Sequence, residues 1–230
     1  MKFTAFLIIC LLPIAPLAIA QQNVAPAATD ALAEGELVKG KSGFRETWVN
    51  PNIDFSAYNK ILPGEPEFEF RDVGPARKHS SSMRNISNKS EFGILESDRE
   101  KFKQVVHAAF VKELSRSKKY EVVTEAGGGT ILLQGGVIDI VSHVPPKMTG
   151  RSDIYLSSVA TVTLVLELLD AETGQVLAYV EDRRKIEQPG GQIDRFTMPT
   201  SSVTVWAEIS RWARSSASRL RKSLEKAQRN

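Results

Sequence analysis

A two-layer α+β sandwich, with a mostly antiparallel or mixed sheet of about four to five strands and two helices on one face, follows from three features of the 230-residue sequence. Two segments carry apolar residues at helical spacing on one side: Phe102, Val105, Val106, Ala109, Phe110 and Leu114, then Trp206, Ile209, Ala213, Ala217, Leu220 and Leu224. Between them Ile154 to Leu169 alternates, with Val162, Leu164, Leu166 and Leu168 on one face and Thr161, Thr163 and Glu167 on the other. The run ends in Asp170-Ala171-Glu172-Thr173-Gly174, a hairpin connection whose glycine can take the positive φ that closes it. Each helical stripe needs one apolar surface, and a single sheet face serves both.

In chain order, Phe44 to Asn50 is a short extended piece and Pro51-Asn52-Ile53-Asp54 is a turn. Tyr58 to Leu62 and Glu67-Phe68-Glu69-Phe70-Arg71 form one half-buried strand interrupted by Pro63 and Pro66. Asp72 to Gly93 is a long polar loop containing His79 and the basic residues Arg77, Lys78, Arg84 and Lys89, with Arg71 at its entrance. Ser97-Asp98-Arg99-Glu100 has the spacing of a capping box and opens the first helix. A strand starts at Tyr120, Gly127 to Gly129 turns the chain, and Ile131 to Val144 follows, with Gly135-Gly136 suggesting a bulge. After the hairpin a strand returns from Gln175 to Lys185, a loop spans Gln188 to Pro199, and Thr200 or Ser201 caps the last helix.

The first twenty residues have the form of an export signal. Lys2 precedes an apolar run from Ala5 to Leu17, and Ala18-Ile19-Ala20 supplies the small residues that a signal peptidase accepts, placing cleavage between Ala20 and Gln21. Pro13 and Pro16 interrupt the run, which is shorter than the roughly 20 residues of a membrane-spanning helix. Residues 1–20 are therefore read as a signal peptide, 21–42 as a flexible leader and 43–230 as one exported domain. Cys10 is a poor lipid acceptor, because Leu7-Ile8-Ile9 is bulky where processing needs a small side chain. Loss of the signal removes that sole cysteine and leaves 29 basic against 27 acidic residues, a net charge of +2. A cysteine-free exported chain fits the periplasm of a Gram-negative bacterium, or release from it.

This composition excludes a thiol nucleophile, a thiolate metal site and a disulfide scaffold, and the small net charge speaks against nucleic acid. No Gly-x-Ser-x-Gly elbow occurs, and His79, His107 and His143 are scattered over a loop, a helix and a strand end. Gly127-Gly128-Gly129 leads into a strand rather than a helix, so it does not cradle phosphate. Glu181-Asp182 stands beside Arg183-Arg184-Lys185, as a solvated strand end would. No catalytic, cofactor or metal set is assigned. The candidate interaction surface is on the last helix: Arg211, Trp212, Arg214, Arg219 and Arg221, facing an envelope protein, a lipid or a cell-wall component.

Several stretches carry a resemblance: Phe55 to Ile61, Phe110 to Leu114 running into Tyr120 to Val123, Leu168 to Ala178 across the hairpin, and the Trp206 to Leu224 helix. Together they resemble a bacterial family of exported, lipoprotein-like proteins known as domain of unknown function 3313. The resemblance implies an envelope-associated, two-layer domain that contacts other envelope components, and it brings no catalytic residues with it. The Ala20 cleavage departs from the lipoprotein habit, since it leaves no acceptor cysteine. The resulting expectation is a non-enzymatic exported binding domain working through its two long loops and its last helix. The alternative is a periplasmic hydrolase or small-ligand carrier with His107 or His143 in a pocket.

Overall fold

The computed structural model describes residues 30–31, 36–73, 91–145, 155–188 and 200–229. The expected signal with Cys10, the Ala20–Gln21 junction, most of the leader, His79 and most of both long loops lie outside the described residues. The chain forms β1 (Val38–Lys39), β2 (Glu46–Val49), a 3-10 turn (Phe55–Ala57), β3 (Lys60–Pro63) and β4 (Glu67–Phe70). Then come α1 (Glu96–Leu114), β5 (Glu121–Val122), β6 (Thr130–Ser142), β7 (Ser158–Asp170), β8 (Val176–Glu187) and α2 (Ser202–Ala227).

The α+β class with two helices against the sheet is right, but the strand count is not: among the described residues the mixed sheet has eight strands, where four to five were expected. Its order is β1-β2-β8-β7-β6-β3-β5, with β4 also paired to β6. Three causes account for the difference. β1 and β5 are two residues each and too short to show a period. The single strand expected before the long loop divides at Pro63–Pro66 into β3 and β4, which occupy successive halves of β6 as parallel neighbours. The extended piece at 46–49 pairs antiparallel with β8 and receives β1 on its outer side, so the sheet begins ahead of the expected domain start at 43.

The long antiparallel meander β6-β7-β8 holds the rest. Asp170 closes its second turn by accepting from the amides of Glu172 (2.9 Å) and Thr173 (2.8 Å), and Gly174 takes φ +73°. The expected bulge at Gly135-Gly136 is displaced: register runs unbroken there, and Asp139 with Ile140 together opposes Val162. Asp139 adopts φ +53°, the left-handed conformation that such a bulge demands.

Both helices pack on one face, where Phe102, Val106 and Leu114 of α1 and Ile209, Ala213 and Leu220 of α2 meet Ile131, Val162, Leu164 and Leu177 of the sheet. Contacts between Phe102 and Trp212 near the helix starts and between Arg221 and Glu113 near their ends make the helices parallel neighbours. The capping box at Ser97 does not form: α1 starts two residues earlier, with Leu95 as a cap lacking a side-chain bond. That motif occurs on α2 instead, where Ser201 and Thr204 cap each other reciprocally.

The face of β7 expected to be polar and wet is covered as well. Thr161, Thr163 and Glu167 are buried, and a second apolar cluster gathers Leu37, Val165, Leu169 and Val176 with Trp48 and Tyr179 packed on it. A central strand flanked by neighbours with large side chains is buried on both faces, whatever its own alternation.

Candidate functional site

The five expected surface residues of α2 divide in two. Trp212 is a core residue: it stacks on Phe102 at 6.2 Å between ring centroids, and Phe102 meets Phe68 and Phe70 edge-on at 6.1 and 6.0 Å. Arg219 turns inward, 3.5 Å from the buried Asp182 carboxylate, with its guanidinium 5.1 Å from the Phe44 ring centroid and donating to Ser216 Oγ at 2.9 Å. Burial, reinforced by Arg184 and opposed by Asp182, pushes the Arg219 guanidinium below its ordinary pKa. Arg221 is mostly covered and pairs with Glu225 at 3.2 Å and with Glu113 at 3.6 Å. Arg211 and Arg214 remain exposed, the first paired with Glu208 and the second donating to the Ser210 carbonyl at 3.2 Å. A helix packed on both a sheet and a neighbouring helix buries a wide arc, and this arc reaches Trp212 and Arg219.

The two described histidines, His107 and His143, are not brought together as a catalytic pair. His107 is exposed on α1 beside an apolar cavity whose lining contains no carboxylate. His143 is buried, with Nδ1 2.8 Å from Ser158 Oγ and Nε2 3.1 Å from Thr161 Oγ1. Burial, then the positive charge of Lys185, pushes its pKa below the ordinary value of 6.5. A depressed folded pKa means that the unfolded chain takes up the proton first. Stability is therefore fully present above pH 6.5 and falls as pH drops through the lowered folded value. The urea midpoint is expected to fall between pH 7 and pH 5, and to fall less in His143→Gln; identical pH profiles would remove His143 from the linkage. Glu181 and Asp182 are no dyad either: Glu181 is exposed, while Asp182 is buried and receives Arg184 Nε at 2.7 Å.

One end of the sheet carries a feature that sequence reasoning missed. Segment 74–90 leaves after β4 and returns before α1, 146–154 joins β6 to β7, and 189–199 joins β8 to α2, so all three depart from the same end. Their feet are pinned. Arg71 forks onto Asp139 at 2.5 and 2.6 Å and reaches Glu91 at 2.6 Å, tying both ends of the first segment to the bulge of β6. Arg183 of β8 binds the same Asp139 carboxylate, which these arginines, Arg71 foremost, hold below the usual carboxylate range. Thr200 Oγ1 accepts from the Leu156 amide at 3.1 Å and donates to Gln188 Oε1 at 3.0 Å, joining the feet of the other two segments.

Apolar side chains stand open at this end: Leu95 is 68% exposed, Tyr155 52% and Val203 77%. The opposite end is drawn closed by tight turns, with Tyr58 donating to Asp170 at 2.8 Å and Gln228 to the Tyr58 carbonyl at 2.9 Å. The signal available in the sequence was the length of the loops; the pinning contacts join residues up to 68 positions apart and leave no local pattern.

No family model matches the chain, and no curated protein does. Among solved structures, a neuraminyllactose-binding hemagglutinin homolog from Helicobacter pylori is 14% identical, with a TM-score of 0.39 over 84% of this chain and 96% of that one. A Xanthomonas campestris protein of the domain of unknown function 330 family is 12% identical, with a TM-score of 0.40 over 79% of this chain and 91% of that one.

Proposed function

We propose that this chain is an exported, envelope-associated binding domain without catalytic activity, of the kind that its resemblance to the domain of unknown function 3313 family implies. Its contact surface is the end of the sheet from which the three long segments depart. The observation that supports this most is the joint pinning of those segments by Asp139 and Thr200 beside the exposed Leu95, Tyr155 and Val203. A rigid sheet that fixes the feet of long connections is the usual arrangement for presenting a binding surface. Exposed aromatic and aliphatic side chains supply the desolvation that drives association, and the net charge of +2 expected for the mature chain contributes little long-range steering. Arg211 and Arg214 lie on the outer face of α2 and form a secondary, screened contact at most.

The test is recovery of envelope components from native extracts by the wild-type chain and two variants. The combined Leu95→Glu, Tyr155→Ala and Val203→Glu variant is expected to lose about tenfold in partner affinity, or about 1.4 kcal/mol. Arg211→Glu with Arg214→Glu is expected to retain it. A triple variant that recovers the same partners at wild-type levels rejects the surface.

A further inference from the structure

A cavity of about 60 Å³ lies between α1 and the sheet, and the sequence accounts for it. β3 leaves β6 at the Pro63–Leu133 pair and β4 joins at Glu67–Gly136, so the chain steps outward through Gly64 to Pro66. Leu133 and Val137 face the helices, and between them Gly135, at φ +129°, brings only backbone to the lining; a Cβ there would strike the Val165 carbonyl of β7. α1 roofs the gap with Val106, Phe110 and Leu114, and Leu164 and Leu166 form the floor. The polar side chains in the lining are His107 and Gln134; His107 and the 40% exposed Val111 mark an open mouth.

We propose that this cavity binds the end of a single saturated alkyl chain, with the head group of the amphiphile left outside beside His107. His107 and Gln134 are both exposed and the remaining lining side chains are apolar, so an apolar occupant is favoured over water. Size decides its shape: about 60 Å³ is under half of the ~150 Å³ apolar cavity that admits benzene, which leaves a narrow chain and excludes a ring. This site is separate from the loop-bearing end, and either can fail without the other.

The probe is a series of alkyl glucosides from methyl to hexyl, each below its micelle concentration, titrated into the full chain while methyl resonances of Val106, Leu133 and Val137 are followed. Saturable shifts are expected, with affinity rising about tenfold per two methylenes until the cavity is full and levelling off thereafter. Val106→Phe fills the cavity and is expected to abolish the shifts at Leu133 and Val137. Val111→Asp at the exposed mouth leaves the fold intact and is expected to weaken binding at least fivefold. The Leu95, Tyr155 and Val203 triple variant is expected to bind as wild type. Absence of saturable shifts, or unchanged binding by Val111→Asp, overturns the assignment.

Discussion

Gly136→Ala is expected to cost about 3 kcal/mol or more, at the upper end of overpacking penalties, and to lower the melting temperature by roughly 6 to 12 °C for a chain of this size. An ideal Cβ at position 136 would stand 1.9 Å from the Glu67 carbonyl oxygen and 2.7 Å from its carbon, both backbone atoms of β4. Neither can move without taking β4 off β6. That strand carries Phe68 and Phe70, which pack around Phe102, so loss of the pairing propagates into the helix layer. Gly127→Ala is the control: nothing lies within 4 Å of its added Cβ, and its effect is expected to stay within about 0.5 kcal/mol. Thermal and urea unfolding of both variants against wild type measures this, and equal stability of the two would contradict the described β4–β6 contact.

Trp212→Ala is expected to destabilise by about 3 to 5 kcal/mol, the cost of deleting a buried aromatic and leaving a cavity. Trp212 joins the layers: its ring stacks on Phe102, whose edges meet two phenylalanines of β4. The same substitution on an interaction surface would leave stability unchanged and weaken only partner binding. Urea unfolding therefore separates the two roles directly. Arg214→Ala, at an exposed position with one contact to its own helix backbone, is expected to change stability by less than about 0.5 kcal/mol.

What was legible in the sequence was local. The β7–β8 hairpin announced itself through alternation and the Asp170 to Gly174 turn, and both helices through their stripes. What was hidden depended on neighbours. β3 and β4 are parallel partners of β6, a pairing fixed by chain paths through β5 and α1 rather than by any turn. Thr161 and Glu167 read as an exposed face because alternation cannot show that Leu37, Trp48 and Tyr179 cover it. Trp212 sits just past the edge of the α2 stripe, and only its stacking on α1 draws it into the core.

The candidate surface was legible in half. The loops at 72–93 and 188–199 were visible as excess length. That they share one end follows from strand order, and their fixation follows from the Arg71, Asp139 and Glu91 network and from Thr200, which are tertiary contacts. The α2 arginines attracted attention as a basic face, yet Arg219 and Arg221 neutralise Asp182, Glu113 and Glu225. A row of cations on a helix is an interaction surface only after its intramolecular partners have been accounted for.

Site-specific photocrosslinking in the native cell tests the central claim most directly. A photoreactive residue is placed in turn at Tyr155, at Val203 and at Thr173, an exposed position in the hairpin at the opposite end. The loop-bearing surface predicts that positions 155 and 203 capture the same envelope component and that position 173 does not. Capture from position 173 with none from 155 or 203 would place the contact at the wrong end and contradict the account.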